Sequence, residues 1–270
     1  MDLFQAIIYG IVQGITEFLP VSSTAHLILL PWFAGWKDPG MEFDIALHLG
    51  TLFSLVWFFR TEWTAFARSA LNVALGRTRG QDEQMVLLIV VATIPAALAG
   101  VVGEDLVQTY LRSPLVIATT LIGLALVLVL AEKRGRRTKD LEQISWTDAL
   151  VVGLAQSLAL VPGVSRSGIT ITAALFRGMK REAAARFSFF LSTPLIAGAA
   201  GKQLFDMTAG GTNQADFGML VVGIITSAIV GYLAIAFLLR YLATNTTYAF
   251  IYYRIGLGIV VFLAFWSGFR

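Results

Sequence analysis

Cysteine is absent from the 270 residues, histidine occurs only twice, and charged side chains make up 14% of the chain. Without cysteine there is no disulfide framework, no thiolate nucleophile and no cysteine-ligated zinc or iron–sulfur site. A soluble domain carries about a quarter charged residues, so the shortage of charge excludes an ordinary soluble enzyme. What fills the chain instead is apolar: 57% of residues are hydrophobic and the mean hydropathy is +0.75. This is the composition of an all-α polytopic membrane protein, expected as a single integral membrane domain over residues 1–270. The net charge of +3 then belongs to cytoplasmic loops, and no nucleic-acid partner is expected. A basic start is lacking too: the first Lys or Arg is Lys37, which argues against a cleavable signal peptide.

Six stretches, approximately 41–60, 84–103, 114–131, 184–205, 217–240 and 248–268, reach the roughly 20 apolar residues that a helix needs to cross a bilayer. Their connections sort by charge. Arg60, Arg68, Arg77 and Arg79 follow the first; Lys133, Arg134, Arg136, Arg137 and Lys139 follow the third; Arg177, Lys180, Arg181 and Arg186 surround the start of the fourth. The positive-inside rule places these clusters together in the cytoplasm, and six crossings then leave both termini outside. Trp32, Trp36, Trp57, Trp63 and Trp266 near segment ends read as interfacial anchors. Gly100, Gly103, Gly198, Gly201, Gly223 and Gly231 read as points of close helix packing.

Two further apolar segments, 2–35 and 145–178, are broken near their middles, at Phe18-Leu19-Pro20-Val21-Ser22-Ser23 and at Val161-Pro162-Gly163-Val164-Ser165-Arg166-Ser167-Gly168. Each limb has about 12–16 residues, enough to reach the bilayer centre but too few to cross comfortably. Irregular backbone at that depth survives only inside protein or beside a watery cavity. Both segments are therefore expected to be re-entrant helical hairpins, with kinked spans or interfacial helices as the alternative. They also resemble each other: Gly10-Ile11-Val12-Gln13 matches Gly153-Leu154-Ala155-Gln156, and Val21-Ser22 matches Val164-Ser165 at the same offset. Two halves, approximately 1–140 and 141–270, would each be a hairpin followed by three spans. As inverted-topology repeats they would bring the two broken tips face to face near the midplane.

Gln13 and Glu17 are four apart and share a helical face just before the first break. An ionisable residue inside a membrane is costly and marks function by default. Ser22, Ser23, Thr24 and His26 follow; Ser22 or Ser23 can cap the second limb and leave its backbone N–H groups aimed at the site. The second tip supplies Ser165, Arg166, Ser167 and Thr170, and the donor fork of Arg166 suits a phosphate or a carboxylate. Every group except Glu17 donates hydrogen bonds or favours negative charge, so phosphate suits the set best. Three roles stay open for Glu17: holding a hard divalent cation with the amide oxygen of Gln13, acting as a base on a hydroxyl, or pairing with Arg166 in a structural salt bridge. Asp44 and His48, four apart in the first span, either extend this site or form a structural pair. Glu104 and Asp105 at a span end read as solvated.

The runs Gln13-Gly14-Ile15-Thr16-Glu17-Phe18-Leu19-Pro20-Val21-Ser22-Ser23-Thr24-Ala25-His26 and Pro162-Gly163-Val164-Ser165-Arg166-Ser167-Gly168-Ile169-Thr170 resemble the two signatures of the bacterial undecaprenyl-diphosphate phosphatase family associated with bacitracin resistance. Length, composition and order of segments agree over essentially the whole chain. The resemblance implies a membrane enzyme that removes the terminal phosphate of undecaprenyl diphosphate, a polyprenyl diphosphate lipid. The monophosphate carrier of peptidoglycan synthesis is thereby regenerated, and bacitracin resistance follows because the drug sequesters the diphosphate. By the same resemblance Glu17, Ser23, His26 and Arg166 are catalytic, and Ser22, Thr24, Ser165, Ser167 and Thr170 bind the diphosphate.

It further implies dependence on Mg2+ or Ca2+, with Glu17 and Gln13 as ligands, in the bacterial inner membrane, with the site facing the outer leaflet. Gln13 stands where many members have Glu, which weakens a paired-carboxylate metal site. A serine beside a carboxylate matches the logic of an activated nucleophile, favouring Ser23 over His26. The rival reading is a lipid-phosphate transporter or flippase built on the same midplane anion site, although binding alone does not require Ser23, His26 and Glu17 to crowd together. Oligomeric state, a homodimer included, stays open.

Overall fold

The computed structural model describes residues 1–76, 80–210 and 217–269, without the side chains of 104–109, 203, 204 and 206–210. The readings placed on Arg77, Arg79, Glu104 and Asp105 lie outside the described residues. Eleven α-helices follow one another among those described: α1 (Leu3–Phe18), α2 (Ser23–Ala34), α3 (Met41–Phe58), α4 (Arg60–Ala74), α5 (Gln81–Tyr110), α6 (Pro114–Arg134), α7 (Trp146–Gln156), α8 (Arg166–Phe176), α9 (Arg181–Gly210), α10 (Phe217–Thr244) and α11 (Tyr248–Trp266). Six of them, α3, α5, α6, α9, α10 and α11, are long and apolar enough to cross a membrane. They coincide with the six stretches expected from hydropathy.

Helix ends follow local chemistry. The Asp2 carboxylate accepts from the Gln5 amide at 2.8 Å while the Gln5 side chain returns to the Asp2 amide at 3.1 Å, a reciprocal box that starts α1. Pro20, with no N–H to continue the helix, follows its extended end at Leu19. Ser113 caps α6 ahead of Pro114, and Lys133 and Arg134 occupy its last turn, each suited to its end of the helix dipole. After α7 a 3-10 turn over Ser157–Leu160 runs into extended Val161. Helices α1, α2, α7 and α8 are the limbs on either side of the two breaks.

α4 was not foreseen: the basic connection after the first span is helical. Trp63 and Phe66 recur at helical spacing, and both rings meet Phe190 of α9 edge-on, with centroids 6.2 and 5.2 Å apart. This apolar stripe fixes the helix against the core while Arg60 and Arg68 stay outside.

Packing crosses between the two halves of the chain. α1 lies along α10 and α3, α7 lies along α5, α6 pairs with α11, and α8 is wedged among α6, α7 and α9. Two glycines permit the crossings: a Cβ on Gly14 would stand 2.8 Å from the Gly231 amide, and one on Gly153 would stand 2.6 Å from Cα of Ala92. Gly223 and Gly231 are close contacts as expected. At Gly198 and Gly201 a side chain would meet nothing within 4 Å among the described residues, and Gly100 and Gly103 face Leu160 at ordinary distances.

The basic clusters gather at one end, held by acids. Buried Glu132 accepts from Arg137 Nη1 at 3.1 Å, Arg181 Nε at 2.8 Å and Thr247 Oγ1 at 2.8 Å. Fully buried Asp148 accepts from Lys139 Nζ at 2.8 Å and Arg177 Nε at 2.6 Å. Arg186 of α9 reaches Glu62 of α4 at 3.5 Å. Burial pushes the Asp148 carboxyl up, but hydrogen bonds from Lys139, Ser145 and Arg177 outweigh it and hold the carboxyl well below the usual carboxylate range.

Candidate active site

The two broken tips meet, and they are built alike. Ser22 (φ 77°, ψ 96°) and Ser165 (φ 72°, ψ 117°) both sit at positive φ, where a residue with a Cβ is uncommon and strained by about 1–3 kcal/mol. Each is the N-cap of the following limb. Ser22 Oγ accepts from the Ala25 amide at 3.3 Å and Ser165 Oγ from the Gly168 amide at 3.1 Å. The earlier first-turn amides, those of Ser23 and Thr24 on α2 and of Arg166 and Ser167 on α8, are the ones a helix leaves without an internal acceptor.

Between the tips lies a dense polar cluster. The Glu17 side chain is 3% exposed; its Oε2 accepts from Ser23 Oγ at 2.6 Å and from Gln13 Nε2 at 3.0 Å, and its Oε1 accepts from Arg166 Nη2. The Glu17–Arg166 ion pair weighed from the sequence is therefore present. Ser167 Oγ donates to the Leu19 carbonyl at 3.0 Å, tying the second tip to the first, and Ser165 Oγ lies 3.2 Å from Ser167 Oγ. Among the described residues, two buried polar atoms in this cluster have no partner: Arg166 Nε, a donor, and Gln13 Oε1, an acceptor.

His26 is held by both ring nitrogens. Nδ1 lies 2.7 Å from the Ser22 carbonyl oxygen, which can only accept, so Nδ1 carries the proton. Nε2 then accepts from the Tyr253 hydroxyl at 2.6 Å, and the two rings lie parallel within 11°. This assignment of the tautomer rests on the hydrogen-bond network.

The remaining expected residues fall outside the cluster or at its edge. Thr24 is exposed. Thr170 is fully buried, and its hydroxyl meets the Arg166 carbonyl at 2.7 Å and Ser188 Oγ of α9 at 2.7 Å, so it joins α8 to α9. His48 reaches the cluster, with Nε2 3.8 Å from Glu17 Oε2. Its Nδ1 bonds the Asp44 main-chain oxygen at 2.7 Å, so this link to Asp44 runs through the backbone.

Two residues of α11 were missed. Tyr253 orients His26. Arg254, 1% exposed, passes behind both tips: Nη1 donates to the Pro20 carbonyl at 3.1 Å, Nη2 to those of Gly163 and Val164 at 2.9 and 3.1 Å, and Nε to that of Leu121 at 3.2 Å. Arg254 was legible, being the only charge in the stretch 248–268 and subject to the same intramembrane rule that singled out Glu17. Nothing in the sequence marks Tyr253.

A divalent cation is testable against this donor set. Gln13 Oε1, buried and without a partner among the described residues, adds one amide oxygen to the Glu17 carboxylate, whose two oxygens already accept from Ser23, Gln13 and Arg166, and the described residues hold no group of three His, Cys, Asp or Glu. That fits magnesium completing its shell with phosphate oxygens and water, and it does not fit an all-protein calcium cage.

Chemically, the cluster places a hydroxyl on a carboxylate, next to a guanidinium with a spare donor and two helix N-termini. The family model described as "Bacitracin resistance protein BacA" matches residues 6–260. The chain is 47% identical to an undecaprenyl-diphosphatase of Moorella thermoacetica, over 98% of this chain and 99% of that one. Proteins of the same description from Thioalkalivibrio sulfidiphilus (45%, covering 98% of this chain and 100% of that one) and Thermodesulfovibrio yellowstonii (46%, 98% of each) are similarly close.

Proposed function

The chain belongs to the bacitracin resistance protein BacA family, and from that premise we propose that it hydrolyses undecaprenyl diphosphate to undecaprenyl phosphate and inorganic phosphate. The observation that carries the chemistry is the 2.6 Å hydrogen bond from Ser23 Oγ to Glu17 Oε2 beside Arg166. A protein that only binds or moves a lipid phosphate has no use for a hydroxyl poised on a buried base.

The terminal phosphoryl sits between the tips, where Arg166, through Nε, and the first-turn amides of α2 and α8 take its oxygens. Ser23 Oγ attacks phosphorus in line while Glu17 takes its proton. The bond to the bridging oxygen breaks, and undecaprenyl phosphate leaves with the electron pair. Water then attacks phosphorus, the bond to Ser23 Oγ breaks, Glu17 returns its proton to Oγ, and phosphate leaves carrying the protons of the water. His26, its Nε2 capped by Tyr253, is poorly placed as nucleophile and shapes the mouth of the site. Gln13 and Glu17 would hold a magnesium ion, which supplies charge neutralisation on the diphosphate when bound.

The same reading covers the architecture. Short limbs on both sides of each break support re-entrant hairpins. The shared N-cap geometry of Ser22 and Ser165, together with the crossed packing of α1 on α10 and of α7 on α5, supports inverted repeats. With the basic end in the cytoplasm, both termini lie outside and the tips open toward the outer leaflet of the inner membrane.

The test is phosphate release from a prenyl diphosphate by purified protein in detergent, with magnesium, for wild type, Ser23→Ala and His26→Ala. Release lost by well-folded Ser23→Ala is expected. No release by folded wild type across metals and prenyl lengths would overturn the phosphatase reading, and full activity of Ser23→Ala would overturn the nucleophile.

A further inference from the structure

Among the described residues, the buried Arg254 guanidinium at the tips bonds main-chain carbonyls alone, from the first break (Pro20), the second break (Gly163, Val164) and α6 (Thr120, Leu121). Among the described residues it forms no ion pair. A cation taken out of water without a counter-charge is costly, and these carbonyls solvate it without neutralising it. Lysine could not replace it, because one ammonium group lacks the planar fork that reaches both breaks at once.

A second observation points the same way. A Cβ on Gly168, the glycine of the Ser165-Arg166-Ser167-Gly168 run, would stand 2.8 Å from Arg254 Nη1. The first turn of α8 thus leaves side-chain space empty where Arg254 passes. The carbonyls that Arg254 takes at the breaks lie one or two residues before the two strained N-caps: Pro20 two before Ser22, and Gly163 and Val164 two and one before Ser165. The amides that follow Pro20 and Gly163 close the same turns, Val21 N donating to the Leu19 carbonyl at 2.7 Å and Val164 N to the Val161 carbonyl at 3.1 Å, so Arg254 holds from outside the two turns that lead into the N-caps.

We propose that Arg254 is a positioning residue that locks the two tips together, so that both helix N-termini converge on one diphosphate while its own charge adds to the field there. Resting on the phosphatase reading, this goes further by assigning to α11 the alignment of a site whose reacting groups all lie on other helices. Arg254 touches no substrate; it acts through Pro20, Gly163 and Val164.

The experiment uses purified full-length Arg254→Lys, Arg254→Met and Gly168→Ala, with thermal unfolding as the control for folding. The binding probe is methylenediphosphonate, titrated in a Ser23→Ala background, so that affinity is read without turnover. In Arg254→Met, affinity for the probe falls about tenfold and kcat/KM about 100-fold, the scale expected when reacting groups are displaced by about 1 Å. Arg254→Lys keeps the charge and recovers probe affinity to within about threefold, yet kcat per folded molecule stays about tenfold low because the fork is lost. Gly168→Ala, which displaces the guanidinium, behaves like Arg254→Lys. Wild-type kcat and probe affinity in folded Arg254→Lys and Gly168→Ala would overturn the proposal, whatever their melting temperatures. Should Arg254→Met fail to fold, those two variants decide the matter. A wild type that releases no phosphate would instead remove the phosphatase reading and leave this proposal to the affinity series alone.

Discussion

Replacing Glu17 by Gln keeps its volume and removes its charge, and the structure sets the size of the consequence. Arg166, with its side chain 15% exposed and Glu17 as its carboxylate partner, is left as an uncompensated cation, and breaking a buried pair from one side costs about 3–5 kcal/mol. At about 2–4 °C per kcal/mol for a chain of this order of size, the melting temperature falls by roughly 6–20 °C. Catalysis falls further, because Ser23 Oγ loses its base, a change of about 10²–10⁴ in turnover. Arg166→Met leaves the buried Glu17 carboxyl without its cation and costs a comparable amount. The double variant holds neither charge. Its stability loss should be smaller than the sum of the two single losses by about 2–3 kcal/mol, while its activity remains absent. Thermal unfolding in detergent micelles, followed by circular dichroism alongside phosphate release, measures both sides of the cycle. Additive stability losses, or a Glu17→Gln enzyme keeping more than about a tenth of wild-type turnover, would refute the argument.

At the basic end, Asp148→Asn should destabilise the protein by about 2–4 kcal/mol, since Lys139 and Arg177 lose their shared acceptor. The Asp148 carboxyl is held below its unfolded value, so its contribution is full near neutral pH and fades as acid takes the protein below the ordinary carboxylate range. Melting curves from pH 7 to pH 3 should therefore fall more steeply for wild type than for Asp148→Asn, and parallel curves would count against this. Gly153→Ala drives a methyl group into the main chain of Ala92 and should cost at least about 1–3 kcal/mol, read as a lower melting temperature; an unchanged one would mean that α7 and α5 can part freely. Removing divalent cations with EDTA should lower phosphate release by at least about tenfold, with recovery on adding magnesium, and Gln13→Ala should raise the magnesium requirement. Equal activity with and without chelator would set the metal aside.

Features set by a run of residues were readable in the sequence. The six spans announce themselves by apolar length, and the two breaks by proline and glycine where hydropathy would otherwise continue. Features set by one residue meeting a distant one were harder to see. Arg254 carried a signal, a lone charge in a span, but its partners are backbone carbonyls that no pattern of side chains reveals. Glu132 and Asp148 carry no mark in the sequence, because the cations that surround them, Arg137, Arg181, Lys139 and Arg177, are brought in only by folding. Thr170 has a partner that spacing does not reveal: one turn beyond Arg166, its hydroxyl meets Ser188 of α9. α4 escaped because its apolar stripe of Trp63 and Phe66 is short and set among charges.

The crossed packing also governs how long the nascent protein must wait to become itself. α1 finds its resting place along α10, and roughly 200 residues separate the end of one from the start of the other. At about 5–20 residues per second, the ribosome takes some 10–40 seconds to supply that partner. Through most of this interval Gln13 and Glu17 lie at the end of a short limb with neither Arg166 nor the second tip to receive them. The polar centre thus comes together only once α8 has been made, and a chain released before then holds the acid of the site without its guanidinium.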